Sequence, residues 1–586
     1  MIHPKIPNAQ TVIQLCKAKK IKHIIISPGS RSAPLTIGFT NDPYFKCYSI
    51  VDERCAAFFA LGIAQQLQYP AALVCTSGSA LLNYYPAIAE AFYSDIPLIV
   101  LSADRPKHLI GIGDGQTINQ NDVFANHILY STSLKLDIKD EKNIPENEDF
   151  PIFKNLEDRL ERFLGFQKDI QTFNEEEINI AINQAVARKG PVHINIPFDE
   201  PLYERDTKLS VTPKVSDISI KPKPLDNYII QECFDTWNAS AKKMVLVGVN
   251  QPNEIGKKWL NELSKDDSVI VLTETTSNLH HDSFFPNIDQ LVGPLSVDEQ
   301  KALQPDVLVT FGGLIISKKI KSFLRKYQPK AHWHIDEKNA LDTFFCLSNH
   351  IKTTPHQFLE GLLTRITHHV KSDYHTMWEQ VKQQRLEKHE LYLKQVPFSD
   401  FKVFEILLQA IPNHYILQVG NSSAIRYTQL FQLNRTLDVY CNRGTSGIDG
   451  STSTAIGCAV AATKPTVLLT GDLSFLYDSN GLWNNYIPKN FRIIVVNNGG
   501  GGIFRILPGH KNTENFDLFF ETKHNLTAKH LCKMYGLEYS SADTELQLKS
   551  KMKSFYMESE APKLLEIFTP SIVNDEQLLN YFDFIS

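Results

Sequence analysis

Thr466-Val467-Leu468-Leu469-Thr470-Gly471-Asp472-Leu473-Ser474 and, further on, Ile493-Ile494-Val495-Val496-Asn497-Asn498-Gly499-Gly500-Gly501-Gly502 decide how this chain is read. Each is an apolar, largely β-branched run that stops abruptly in turn residues, the pattern of a buried strand. Asn497 follows Asp472 by 25 residues, room for a helix and a return strand. The two runs are therefore predicted to be neighbouring parallel strands with both polar ends on one edge. In open α/β sheets that carboxyl edge is where ligands bind. An Asp, an Asn and a backbone carbonyl supply the hard oxygens that suit Mg²⁺, an ion that keeps some of its waters and binds phosphate oxygens. The glycines that follow let backbone N–H groups approach a phosphate. Taken singly, Gly-Asp and Asn-Asn-Gly are ordinary turn formers; at this spacing they point to a metal–phosphate site.

The same strand–loop–helix rhythm runs outward in both directions. Ile21 to Ser27, Tyr48 to Val51, Ala71 to Cys75, Pro97 to Ser102 and Val192 to Pro197 read as strands of a first sheet. A second set starts at Met244 to Gly248 and continues through Val269 to Leu272 and Val307 to Thr310. A third holds Tyr415 to Val419, Thr466 to Thr470 and Arg492 to Val496. Strands apolar on both faces and separated by helices indicate parallel sheets covered on both sides. The fold class is thus α/β, with three doubly wound parallel-sheet domains. The expected divisions are 1–205, 206–367 and 368–586, with Lys208 to Pro224 as a linker. Residues 368–394, rich in charge and Gln, read as a solvent-facing helical connector, and 140–169 as an irregular acidic excursion. The first and third segments are alike in type, not visibly in sequence.

At 586 residues the chain has room for three or four domains. Its 42% hydrophobic and 21% charged content excludes a mainly disordered chain or a small disulfide scaffold. A net charge of −5 offers no global field for nucleic acid or an anionic membrane. The longest apolar runs are strand-length, so no membrane span is expected. The N-terminus lacks the apolar core of a secretory signal. Nine cysteines, an odd number with no Cys-x-x-Cys pair, read as reduced thiols of a cytoplasmic protein.

The pair Gly471-Asp472 and Asn497-Asn498 resembles the thiamine-diphosphate fingerprint of the decarboxylase and acetohydroxyacid synthase superfamily. That resemblance implies thiamine diphosphate held through Mg²⁺ or Mn²⁺, with Asp472, Asn498 and the carbonyl of Gly500 as metal ligands. It places Gly471, Leu473, Ser474, Gly501, Ile503 and Phe504 around the cofactor. Leu473 departs from the commoner Gly-Asp-Gly form. The cofactor also needs a carboxylate at its pyrimidine N1′. Glu53, in Val51-Asp52-Glu53-Arg54-Cys55-Ala56-Ala57, fills that role by resemblance; on its own it is a dipole-favoured residue of a first helical turn.

Four further stretches narrow the resemblance: Ser27-Pro28-Gly29-Ser30-Arg31-Ser32-Ala33-Pro34-Leu35-Thr36, Asp104-Arg105-Pro106, Val419-Gly420-Asn421-Ser422 with Arg426, and Asn442-Arg443-Gly444-Thr445-Ser446-Gly447-Ile448-Asp449-Gly450. They are similar to the menaquinone-pathway branch of that superfamily, whose members join 2-oxoglutarate to isochorismate with loss of CO₂. The likeness covers the first and third segments and is weak in the middle one. It implies Glu53, Arg31, Gln116, Ser422, Arg426 and Arg443 as the catalytic set. Ser30, Arg105, Lys318, Lys319 and Asn421 join Arg31, Gln116, Arg426 and Arg443 as substrate contacts. Ile448 would sit under the bent cofactor. Lys319 stands where Arg is commoner, and Lys lacks the bidentate fork. The residue chemistry agrees, since two dianionic substrates call for cations that stay charged and match a carboxylate. The resemblance further implies a homodimer or dimer of dimers with active sites at the subunit interface, Glu53 and Asp472 coming from different chains, and no FAD in the middle domain. Two other readings stay open: a thiamine-dependent carboligase for smaller monoanionic 2-oxoacids, and an inactive cofactor-binding homologue.

Two stretches are set aside. Gly111-Ile112-Gly113-Asp114-Gly115-Gln116 lacks the third glycine of a dinucleotide loop. Adjacent His280 and His281 point apart and have no third ligand at a metal spacing. None of the 19 histidines stands in a convincing nucleophile or base setting.

Overall fold

Strands that are apolar on both faces need cover on both sides, and the chain meets that need three times over. The computed structural model describes residues 1–138, 156–217, 225–506 and 513–586. They fall into two compact units. One is Met1–Ile220 with Thr452–Thr463 and Asp478–Pro488; the other is Lys221–Ser451 with Lys464–Tyr477 and Lys489–Ser586.

The first unit holds a six-stranded parallel sheet: β1 (His23–Ile26), β2 (Lys46–Ser49), β3 (Ala71–Cys75), β4 (Leu98–Asp104), β5 (Tyr130–Ser133) and β6 (Val192–Pro197). Its spatial order is β2-β1-β3-β4-β6-β5. Helix Glu53–Leu67 starts at Asp52, whose side chain accepts the Cys55 N–H, and buries nearly every residue from Cys55 to Gln65. Two glycines let it lie directly on the segment Thr452–Thr463. A Cβ on Gly62 would stand 2.0 Å from the Thr454 carbonyl, and one on Gly457 2.0 Å from that of Phe59. Backbones therefore touch where side chains usually intervene, which is what draws this later stretch of chain into the first unit.

The second unit holds two sheets. The middle one has β7 (Lys243–Val247), β8 (Val269–Thr273), β9 (Val307–Phe311), β10 (Ala331–Ile335) and β11 (Asn349–Ile351), in the order β8-β7-β9-β10-β11. The other has β12 (Ile416–Val419), β13 (Asp438–Tyr440), β14 (Thr466–Gly471), β15 (Arg492–Asn497), β16 (Glu538–Ala542) and β17 (Lys563–Phe568), in the order β13-β12-β14-β15-β17-β16. This is the order of the first sheet, strand for strand, so the likeness in type is a shared topology. In both, the chain leaves the first strand towards one side and returns on the other. The carboxyl edge opens there: between β1 and β3, and between β12 and β14.

Two expectations need correction. Helix Leu156–Arg188 takes in 156–169, so the expected irregular excursion is regular there; 140–155 lies outside the described residues. The connector is the helix Tyr374–Leu393, but it is not solvent-facing throughout. Tyr374, Trp378, Val381, Arg385, His389 and Tyr392 recur at helical spacing and are buried. The described part of the expected linker, up to Asp217, is tied to the first unit: Asn179 and Asn183 donate to the carbonyls of Lys214 and Ser216, each at 2.9 Å. Residues 218–224 lie outside the described ones.

Candidate active site

In the second unit β14 and β15 pair in parallel, Gly471 opposite Val496, so Asp472 and Asn497-Asn498 leave adjacent strand ends. Asp472 is buried. Its Oδ1 accepts the Leu473 N–H at 2.7 Å, and its Oδ2 accepts those of Gly499 at 2.9 Å and Gly500 at 3.0 Å. The carboxylate thus shapes the glycine turn. Gly500 takes φ +155°, and a Cβ there would meet the Glu521 carbonyl at 2.6 Å, so no other residue fits without displacing that strap.

The two asparagines do different work. Asn497 donates to the Leu526 carbonyl at 3.0 Å and to Glu566 at 2.8 Å, and its Oδ1 takes the Gly499 N–H. Asn498 donates to Asp400 at 2.9 Å, while its Oδ1 is buried with no partner among the described residues. A buried oxygen without a donor is costly unless a cation completes it. Asn498 Oδ1, the Asp472 carboxylate and the Gly500 carbonyl form a hard-oxygen set that fits Mg²⁺ or Mn²⁺. Ser474 donates to the Ile448 carbonyl at 2.7 Å, bringing these two predicted cofactor contacts together. Ile448 and Phe504 are exposed, with Gly501 and Ile503 beside the turn.

The other side of the crevice starts at β12. Ser422 holds φ +68° and ψ −126°, a conformation that costs a non-glycine residue about 1–3 kcal/mol and is characteristic of functional sites. Asn421 gives both amide hydrogens to the Asn442 and Gly447 carbonyls, each at 2.7 Å, and its Oδ1 receives the Arg443 guanidinium at 2.8 Å. It positions Arg443. The Arg443 Nε is buried without a partner among the described residues. Arg426 lies on the short helix Ser423–Thr428 and has no hydrogen bond or ion pair among the described residues. Burial holds its pKa below the usual value; buried Asp289 and Glu274 oppose that and Arg443 adds to it.

Those acids govern the start of the helix Lys318–Lys326. Glu274 accepts the N–H groups of Ile316 and Ser317, and Ser317 donates to Asp289. Burial pushes Glu274 up to about 7 and raises Asp289. Lys318 points to solvent, and Lys319 sets its ammonium over the Phe582 ring, 4.0 Å from the centroid. Lys321, one turn on from Lys318, is half-buried, as is Lys319. Burial lowers its pKa, Glu274 raises it, and Arg443, Arg325 and Arg426 lower it.

In the first unit Arg31 and Arg105 both flank buried Asp104, whose carboxyl burial raises and whose Asn195, Arg105 and Arg31 partners lower. Arg31 donates to the Phe198 carbonyl at 3.1 Å and lies 3.4 Å from Glu200. Arg105 binds Asp114 at 2.6 Å, Ser77 at 2.6 Å and the Gln116 carbonyl at 2.8 Å. Gln116 has φ +56°, and Ser30 is exposed. Glu53 faces a separate open cleft of about 450 Å³ with Val51, Asp52, Arg54, Asn83, Asn480 and Trp483. Asn83 approaches it at 3.4 Å.

Comparison with known proteins decides the family. The thiamine pyrophosphate enzyme N-terminal TPP binding domain matches residues 8–125, the middle domain of thiamine pyrophosphate 221–418, and the C-terminal TPP binding domain 418–567. The 2-succinyl-5-enolpyruvyl-6-hydroxy-3-cyclohexene-1-carboxylate synthase of Christiangramia forsetii is 54% identical over 100% of both chains. The synthase of the same name from Flavobacterium psychrophilum is 53% identical over 99% of both. That of Porphyromonas gingivalis is 34% identical over 99% of this chain and 97% of its own. The chain belongs to this synthase family of thiamine pyrophosphate enzymes.

Some residues at this family member's site had no signal in the sequence. His524 comes within 3.3 Å of Asp472, which raises its pKa; it was passed over with the other histidines. Asp400, Glu274, Asp289 and Lys321 were also missed. Each reaches the site through packing, and only a cluster of cations around a strand end could have hinted at Lys321.

Proposed function

We propose that this enzyme decarboxylates 2-oxoglutarate and adds the remaining succinyl unit to isochorismate in a 1,4-addition, giving the product for which its relatives are named. Half-buried Arg426, Arg443 and Lys321 carry this reading: Arg443 and Arg426 repel Lys321, Arg443 repels Arg426, and among the described residues none of them has a carboxylate ion pair. Desolvated like charges are held together at a cost unless an anion completes them. A dianionic substrate does so, and guanidinium forks fix its orientation.

Asp472, Asn498 and the Gly500 carbonyl would hold Mg²⁺ or Mn²⁺, and the amides of the glycine turn a diphosphate. Thiamine diphosphate, when bound, supplies the carbanion chemistry that lets a 2-oxoacid lose CO₂ and its acyl carbon act as a nucleophile. Glu53 would hold a proton against the pyrimidine N1′. Ser422 and Gln116 orient substrate oxygens, with Arg31, Arg105 and Ser30 as further contacts. Lys319, engaged with Phe582, contributes less than Lys321. The active form is a homodimer or dimer of dimers with active sites at the subunit interface. Exposed Val51 and Trp483 beside Glu53 support it. The three domains run 1–205, 206–367 and 368–586. Among the described residues no helix is long and apolar enough to cross a membrane; we place the enzyme in the cytoplasm.

The test follows isochorismate absorbance with the purified chain, thiamine diphosphate, Mg²⁺ and 2-oxoglutarate, leaving out each in turn. Consumption requiring all three is expected. Isochorismate left untouched while pyruvate is decarboxylated would overturn the substrate assignment.

A further inference from the structure

The adjacent asparagines at the end of β15 are each gripped by a buried carboxylate through the amide nitrogen, Asn497 by Glu566 and Asn498 by Asp400. For Asn497 the grip is architectural, because its oxygen then closes the turn onto Gly499. For Asn498 the result differs, because its oxygen is left buried and without a partner among the described residues.

Asp400 is the first residue of the helix Asp400–Ala410 and is 3% exposed. Its backbone N–H donates to Asn574 at 2.8 Å. Its Oδ1 accepts the Thr569 hydroxyl at 2.5 Å, and its Oδ2 accepts Asn498 Nδ2 at 2.9 Å. The residue is thus fixed at two points, its backbone N–H and its Oδ1, before it meets Asn498. A primary amide has two ends of opposite character, a donor NH₂ and an acceptor oxygen. An ionised carboxylate accepts only. It can face the nitrogen and not the oxygen, so Asn498 cannot turn over while Asp400 stands there.

We infer that Asp400 is the positioning residue of the metal site: by holding the Asn498 nitrogen it aims Oδ1 at the cation, without being a ligand itself. This rests on the reading that Asp472, Asn498 and Gly500 hold the metal. With Asp400 removed, the amide is free to present its NH₂ to the cation, which repels it. Partners of this kind, one step behind a ligand, typically change metal affinity 10–100-fold.

The experiment titrates Mg²⁺ into the full-length protein at saturating thiamine diphosphate. Cofactor binding is read by tryptophan fluorescence, and free Mn²⁺ by electron paramagnetic resonance in a parallel series. D400A is expected to raise the Mg²⁺ midpoint at least tenfold, while the cofactor affinity at saturating Mg²⁺ stays within about threefold of wild type. D400N keeps an oxygen that can face Asn498, so its midpoint should fall between wild type and D400A. Should D400A not fold, D400N alone decides: its midpoint must still exceed that of wild type. D472N serves as the control for the underlying reading. A shift in D472N without one in D400A or D400N overturns the positioning role alone. Metal and cofactor affinities that fall equally in D400A overturn it too, since that is the mark of a structural residue. No shift in D472N overturns the metal assignment itself.

Discussion

Arg426→Met separates the two things this residue can be doing. The guanidinium is half-buried, and no carboxylate pairs with it among the described residues. Its desolvation is therefore a charge against the fold. Replacing a buried ion pair by apolar residues of similar volume is often neutral or stabilising by about 1–4 kcal/mol, and an ion without a partner has no paired charge to strand. Because Arg426 keeps some solvent, the low end, about 1 kcal/mol, is the expected gain. For a unit of this size that is a rise of about 1–2 °C in Tm. Asp289 and Glu274 oppose the gain, since each loses a nearby cation. Burial raises both and pushes Glu274 up to about 7, so near pH 6 Glu274 can take up a proton and neutralise itself, whereas the arginine cannot release one. The stabilisation should therefore show at pH 6 and shrink at pH 8. Function moves the other way. A lost charge-assisted pair of hydrogen bonds to a substrate carboxylate is worth about 3–4 kcal/mol, or roughly 100–1000-fold in kcat/KM. Calorimetry at both pH values, with steady-state turnover of isochorismate, tests both arms. A lower Tm at pH 6 together with kcat/KM within threefold of wild type would refute the reasoning and make Arg426 a structural counter-ion.

Asn498→Ala should abolish Mg²⁺-dependent cofactor binding with a loss of Tm of only a few degrees. Asn497→Ala leaves Glu566 and the Leu526 carbonyl short of a donor and should cost about 2–3 kcal/mol in denaturant unfolding. Glu274 has a folded pKa raised from 4.5 to about 7, so its contribution to stability is full below about 4.5 and is lost as pH rises through about 7. The unfolding midpoint should fall between about pH 5 and 7, and E274Q should flatten that fall; an equal slope in both proteins would count against it. Gly457→Val places branched carbons against the Phe59 carbonyl and should destabilise by about 3 kcal/mol or more, seen as lower soluble yield and Tm.

What could be read from the sequence was what is local to a strand and the turn after it. The polar ends of β14 and β15, the acidic start of the helix after β2 and the arginines near strand ends sit in short runs whose residue types already state their geometry. Strands β5 and β16 went unread because they are polar edge strands, Tyr130–Ser133 and Glu538–Ala542, with no apolar run. Asp400 lies 98 residues before the asparagine it holds, and nothing near Asp400 announces the meeting. The connector helix misled because it is rich in charge and glutamine, and only the helical spacing of Tyr374, Trp378, Val381 and Arg385 shows which face is covered. Asn421 was read as a substrate contact through the family resemblance alone; that its hydrogen bonds go to the loop that carries Arg443 has no signal in the sequence.

The close approach of helix Glu53–Leu67 to the stretch beyond Ser451 also has a consequence for how the protein is made. The first unit is not complete when its own long segment, ending near residue 220, leaves the ribosome; it still needs Thr452–Thr463 and Asp478–Pro488. At about 5–20 residues per second, the wait is roughly 10–50 s. Throughout that time the small-residue face around Gly62, shaped to receive a bare backbone, stands uncovered. A nascent chain in that state is a natural client for a holding chaperone. A ribosome stall placed between residues 221 and 451 should leave the early segment protease-sensitive, and a stall past 488 should not.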